Sequence, residues 1–184
     1  MSWTLPGTTL TLQRSDACRT EGLFQSLFLA GGLSLSQVAA ITGLEPYTIQ
    51  NWVKRGFLSP PVNKRYDAEQ VCRIININTL KGALPLESIT SLLSYINGSL
   101  TDESDDIIDD THLYFMFVRL AAQSREHVTG EAWDMAIREV MADYTEPVPG
   151  AADRVAKALR VMLTAWIATR MRQEAERMLA GLEL

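Results

Sequence analysis

Tyr47, Gln50, Asn51 and Lys54 stand three, one and three residues apart, a spacing that on an α-helix gathers all four onto one polar stripe. The carboxamides of Gln50 and Asn51 carry a donor and an acceptor side by side, the arrangement that pairs with the major-groove edge of adenine. Lys54 and Tyr47 supply donors suited to phosphate oxygens. Arg55 adds a cation at the end of the same segment. Further on, Lys64-Arg65-Tyr66 makes a compact cationic tip suited to backbone or minor-groove contact. The candidate DNA contacts are therefore Tyr47, Gln50, Asn51, Lys54, Arg55, Lys64, Arg65 and Tyr66, and their chemistry is that of binding.

The elements that must position these residues are legible on either side. Ser34 and Gln37 form a capping-box pair that starts a short helix running to Ile41. Thr42-Gly43-Leu44 is a tight turn, and Pro46 suits the first turn of a second helix that runs to Arg55 and stops at Gly56. On that helix Ile49, Trp52 and Val53 point inward, opposite the polar stripe. Two short helices joined by a Gly-containing turn make a helix-turn-helix, which presents its second helix to a major groove. Ser59-Pro60-Pro61-Val62-Asn63 is a rigid loop or short β-wing. Asp67 and Gln70 repeat the capping pattern and open a helix to Lys81, on which Arg73 and Lys81 read as surface charges. Pro85 begins another, with Leu86, Ile89, Leu92, Leu93 and Ile96 as its apolar stripe.

Beyond this module the pattern stays helical. Ser15–Ala30 places Leu23, Phe24, Leu27 and Phe28 at helical spacing, after a lead-in that reads as extended. Residues 98–110 form an acidic linker, expected to be solvated. Helices are predicted at Thr111–Ser124, Glu131–Tyr144 and Ala151–Ala180. Leu113–Leu120 is apolar nearly all round and must be covered on most sides. Val155, Leu159, Met162, Leu163, Trp166 and Ile167 form a wide stripe, which predicts a homodimer through the C-terminal helices. The chain divides into residues 1–33, a reading head at 34–97, the linker at 98–110, and a helical region at 111–184. The predicted fold class is all-α, with at most a two-stranded wing between Phe57 and Tyr66.

Composition narrows the function classes. The chain has 184 residues, 47% hydrophobic and 21% charged, with a net charge of −5, as expected of a globular protein with a real core. Ser34–Gly82 holds six Lys or Arg against three acids, so it carries +3 and leaves −8 for the rest; the basic charge is confined to the motif. Cys18 and Cys72 are far apart and read as small buried apolar residues. His112 and His127 lack the partners of a metal or catalytic site. No Gly-rich phosphate loop, nucleophile elbow or His-x-x-x-His pair occurs. No enzyme activity, metal or cofactor is expected. No apolar run approaches the roughly 20 residues of a membrane span, and no signal peptide is evident, so a cytoplasmic location is expected.

The ordered landmarks Val38-Ala39, Thr42-Gly43, Thr48-Ile49, Gly56-Phe57-Leu58, Arg65-Tyr66 and Leu86-x-x-Ile89 resemble the DNA-binding domain of MerR-type regulators. More narrowly, Thr48–Lys54 and Pro60–Tyr66 are similar to bacterial proteins containing the domain of unknown function numbered 1836. The resemblance implies a MerR-like winged helix-turn-helix followed by a C-terminal helical dimerisation region. It also implies a transcriptional regulator that binds double-stranded DNA as a homodimer. The chain departs from the MerR pattern at Gln50, where an Arg is usual, and at Asn51, where an aromatic is usual. Those departures and the acidic total leave open a second reading, a winged-helix module for protein–protein interaction without DNA binding.

Overall fold

The hairpin formed by β1 (Ser2–Thr4) and β2 (Thr11–Gln13) pairs Ser2 with Gln13 and Thr4 with Thr11 in antiparallel register. It opens a computed structural model that describes residues 2–98, 106–123 and 130–182. A 3-10 turn, Arg14–Arg19, leads into α1 (Thr20–Ser26). Then come α2 (Leu35–Thr42), α3 (Pro46–Lys54), α4 (Ala68–Leu80), α5 (Leu86–Asn97), α6 (Asp110–Gln123), α7 (Glu131–Val140) and α8 (Ala151–Ala180). The chain is mostly helical, as predicted.

Local sequence signals set the helix starts. At α2 the Gln37 N–H donates to Ser34 Oγ at 3.4 Å while the Ser34 N–H donates to Gln37 Oε1 at 2.9 Å. At α4 the Gln70 N–H reaches Asp67 Oδ1 at 2.8 Å, and the Asp67 N–H reaches Gln70 Oε1 at 3.2 Å. Each box satisfies two donors that the helix itself cannot. Helix α3 ends in a Schellman motif: Phe57 N–H donates to the Trp52 carbonyl and Gly56 N–H to that of Val53. Gly56 sits at φ +76°, a left-handed position that glycine takes without steric cost.

Helix α4 is the axis of the molecule. Every residue from Gln70 to Ile77 is buried, as are Thr79 and Leu80, because α2, α5, α6 and α8 all pack against it. The apolar helix α6 is covered all round, with Leu113 to Val118, Leu120 and Ala121 buried. Part of its cover is the N-terminal segment. Phe24 packs on Phe115 with ring centroids 5.4 Å apart, and the Tyr114 hydroxyl donates to the Pro6 carbonyl at 3.1 Å. The hairpin turn can approach α4 only because Gly7 has no Cβ. At φ +70° a Cβ there would fall 2.3 Å from Thr79 Oγ1 and 2.4 Å from the Ile75 carbonyl oxygen.

Several expectations are corrected. The two-stranded sheet lies at the N-terminus, whereas the wing contributes only isolated bridges, Val62 to Arg65 and Leu33 to Tyr66. The helix expected over Ser15–Ala30 is a 3-10 turn followed by the seven residues of α1, and α7 stops at Val140. Cys18 is exposed; only Cys72 is buried. Arg73 is not a surface charge but is buried against Asp110, with Nη1 2.9 Å from Oδ2. Asp110 thus leaves the acidic linker and starts α6, while Ile107 and Ile108 beside it are buried. Burial pushes the Asp110 carboxyl up, and the Arg73 charge with the hydrogen bonds from Arg73 and Asn76 pulls against it. Val155, Leu159, Met162, Leu163 and Trp166 are buried within one chain, so that stripe is used by the chain's own helices. His127 and the acids at 102–105 lie outside the described residues.

Candidate nucleic-acid interface

The polar stripe of α3 is where the spacing puts it. Ile49 and Trp52 are buried and Val53 half-buried, which turns Tyr47, Gln50, Asn51 and Lys54 to solvent. Tyr47 is 70% exposed, its ring in solvent and not in the core. Among the described residues none of these four makes a side-chain hydrogen bond or ion pair within the chain. The stripe is chemically uncommitted, with all its donors and acceptors facing water.

The wing is a minimal hairpin. Arg65 N–H donates to the Val62 carbonyl at 2.8 Å, and the two residues between, Asn63 and Lys64, have φ of +50° and +61°. Positive φ at both central residues is the signature of a type I′ turn, whose preferred pair is Asn-Gly. Lysine occupies the position glycine would favour. The return strand is anchored by a two-way bridge, Leu33 N–H to Tyr66 carbonyl and Tyr66 N–H to Leu33 carbonyl, both 2.8 Å. That bridge ties the wing to the residue before the α2 cap.

The eight predicted contacts divide into three groups. Tyr47, Gln50, Asn51, Lys54 and Lys64 are exposed and uncommitted. Arg55 and Arg65 are exposed but held. Arg55 pairs with Glu87 of α5 at 2.7 Å and lies over the Phe57 ring at 4.5 Å, while Arg65 Nη1 donates to the Gly32 carbonyl at 3.1 Å. Tyr66 is withdrawn from the set. It is 3% exposed, its ring packs in the core, and burial raises the pKa of its hydroxyl.

The positioning roles of three further residues were missed in the sequence. Arg73 Nε donates to the Phe57 carbonyl at 3.2 Å, fixing the turn that follows α3. Gln70 does more than cap α4; its Nε2 donates to Ser59 Oγ at 2.9 Å and to the Pro60 carbonyl at 3.0 Å, locking the base of the wing. Asn78 Nδ2 donates to the Thr42 carbonyl at 2.9 Å, holding the end of α2. A charged residue inside Val71-Cys72-Arg73-Ile74-Ile75 was the available signal, because an Arg amid apolar neighbours on all sides must find a partner.

The fold and this surface define a mostly helical protein that presents a solvated polar helix face and a cationic turn on a buried central helix. Among the described residues no helix is long and apolar enough to cross a membrane. Residues 32–117 match the family model described as Domain of unknown function (DUF1836), a stretch that runs from just before α2 into α6. The chain is also similar to the uncharacterized protein YkrK of Bacillus subtilis (strain 168), 30% identical over 86 residues. That alignment covers 45% of this chain and 37% of YkrK. No solved structure matches the chain.

Proposed function

We propose that the chain is a DNA-binding regulator, not an enzyme, whose α2–turn–α3 unit is a winged helix-turn-helix of the MerR-like kind. In this reading Gln50 and Asn51 read base edges, and Lys54, Lys64 and Arg65 contact phosphates. Its place of action is the cytoplasm. The observation that carries the reading is Lys64. A non-glycine residue held at positive φ is costly, and such local strain concentrates where function requires it. Here the strained residue is an exposed cation at the wing tip. Neutralising phosphates releases counterions, so affinity must fall steeply with salt.

A dimer would match a two-fold-related pair of half-sites. The stripe first read as its seam is buried within the chain, so the proposed seam is the outer face of α8. There Val161, Thr164, Ala168, Met171, Ala175 and Met178 alternate three and four residues apart and are all exposed, which is the heptad spacing of a coiled-coil seam. Sedimentation of wild type and Met171→Glu/Met178→Glu tests it; a monomer for both would reject the dimer.

Selected-site binding at several salt concentrations tests the DNA reading itself. Enrichment of one sequence, lost in Asn51→Ala at a cost of about 1–3 kcal/mol on that site, is the expected result. No enrichment, with no salt dependence, would favour the second reading, a protein-interaction surface. The pairing of Arg55 with Glu87 is the observation in favour of that alternative, since it occupies one of the cations a phosphate would use.

A further inference from the structure

A groove of about 480 Å³ lies between the β1–β2 turn, the end of α4 and the middle of α8. Its charged lining residues are Lys81, Arg170 and Arg172, and among the described residues no carboxylate lines it. In a chain of net charge −5 a groove wall whose charged residues are all cations is a marked local reversal. We propose that this groove binds a small ligand through a phosphate or carboxylate group, with the oxyanion held by Lys81 and Arg172.

The neutral lining explains why the ligand is an anion. The hydroxyls of Thr8, Thr79 and Thr169 already donate to the carbonyls of Leu5, Ile75 and Ala165. Asn78 Nδ2 donates to the carbonyls of Gly7 and Thr42. These four polar groups of the wall are committed to the backbone, and the cations supply the recognition. Lys81 has no carboxylate within ion-pair distance among the described residues, and the protein around it strips enough water to lower its pKa. A bound oxyanion would supply the missing counter-charge. Arg172 pairs with Glu176 at 2.5 Å, one turn along the same exposed helix face, a contact that water and salt screen and that a ligand can exchange. Arg170 lies over the Trp166 ring at 4.9 Å, and that indole is part of the groove wall.

Amide chemical shifts of the full chain report the site directly. Titration with inorganic phosphate and with citrate, against sodium chloride at matched ionic strength, should move the Gly7, Lys81 and Gly82 signals saturably with at least one of the two oxyanions. Chloride should not move them. The tighter of the two tells a phosphate ligand from a carboxylate one. Lys81→Met and Arg172→Gln, both surface changes, should each weaken binding about tenfold, the effect of losing one charge-assisted hydrogen bond. Lys64→Ala should leave it unchanged, which separates this site from the proposed DNA surface. Shifts that follow ionic strength alone, spread over the whole surface, or persist undiminished in both groove variants would overturn the proposal.

Discussion

Replacing Lys64 with glycine separates what the wing does for the fold from what it does for a ligand. Lys64 is held at φ +61° by the turn that closes Val62 onto Arg65. The left-handed region costs an L-residue about 1–2 kcal/mol, and glycine avoids that cost. Glycine also loses more freedom on folding, an opposing term of about 0.4–1 kcal/mol. The balance is a variant between unchanged and roughly 1.5 kcal/mol more stable. Lys64→Ala keeps the strain and should match wild type in stability. Both variants lose the same ammonium group, so both should lose one phosphate contact and flatten the log–log salt dependence of DNA binding by about 0.9. Between 50 and 200 mM salt, the ratio of affinities should then shrink by a factor of roughly three to four. Urea unfolding measures the first quantity and fluorescence anisotropy with labelled DNA the second. A Lys64→Gly protein destabilised by more than about 1 kcal/mol would refute the strain argument. One with wild-type salt dependence would show that Lys64 does not touch phosphate.

Arg73→Met and Asp110→Leu should each destabilise the fold by about 3–5 kcal/mol, because each leaves a buried charge without its partner, whereas the double variant should recover most of that loss; a urea double-mutant cycle without coupling would contradict the buried pair. Cys18 is exposed while Cys72 is buried with its thiol pKa pushed well up, so a thiol reagent should modify Cys18 in the native protein and Cys72 only in urea. Peptide mapping that finds Cys72 labelled natively would show that α4 opens.

The parts of the fold read correctly from sequence are those governed by neighbours along the chain. Ser34 with Gln37, Asp67 with Gln70, and Pro46 at the head of α3 act within a single helical turn, and the two faces of α3 follow from periodicity alone. The parts that were misread depend on partners far away. Arg73 and Asp110 are separated by 37 residues, and nothing local at either announces the other. Tyr66 carries both an apolar ring and a polar tip, so its type suits a surface or a core equally. The stripe on α8 correctly declared a buried face, but periodicity says only that a face is covered. Whether the cover comes from the same chain or from a second copy is a matter of topology. The N-terminal hairpin escaped because three-residue strands carry too few alternations to signal themselves.

What orients the candidate surface is α4. Helices of eight and nine residues, the lengths of α2 and α3, are too short to persist on their own, so their placement must come from tertiary contacts. Three polar side chains on one buried helix supply it at three separate points: Gln70 at the base of the wing, Arg73 at the turn after α3, and Asn78 at the end of α2. Polar residues in so apolar a helix would be a liability if unpaired, and each instead fixes a backbone carbonyl of the unit that carries Gln50, Asn51 and Lys64. Asn78 also donates to the Gly7 carbonyl at 2.8 Å, and Gly7 lines the cationic groove. One amide therefore connects the wall of that groove to the last residue of α2. A ligand that shifts the β1–β2 turn must either carry the end of α2 with it or break one of that amide's bonds.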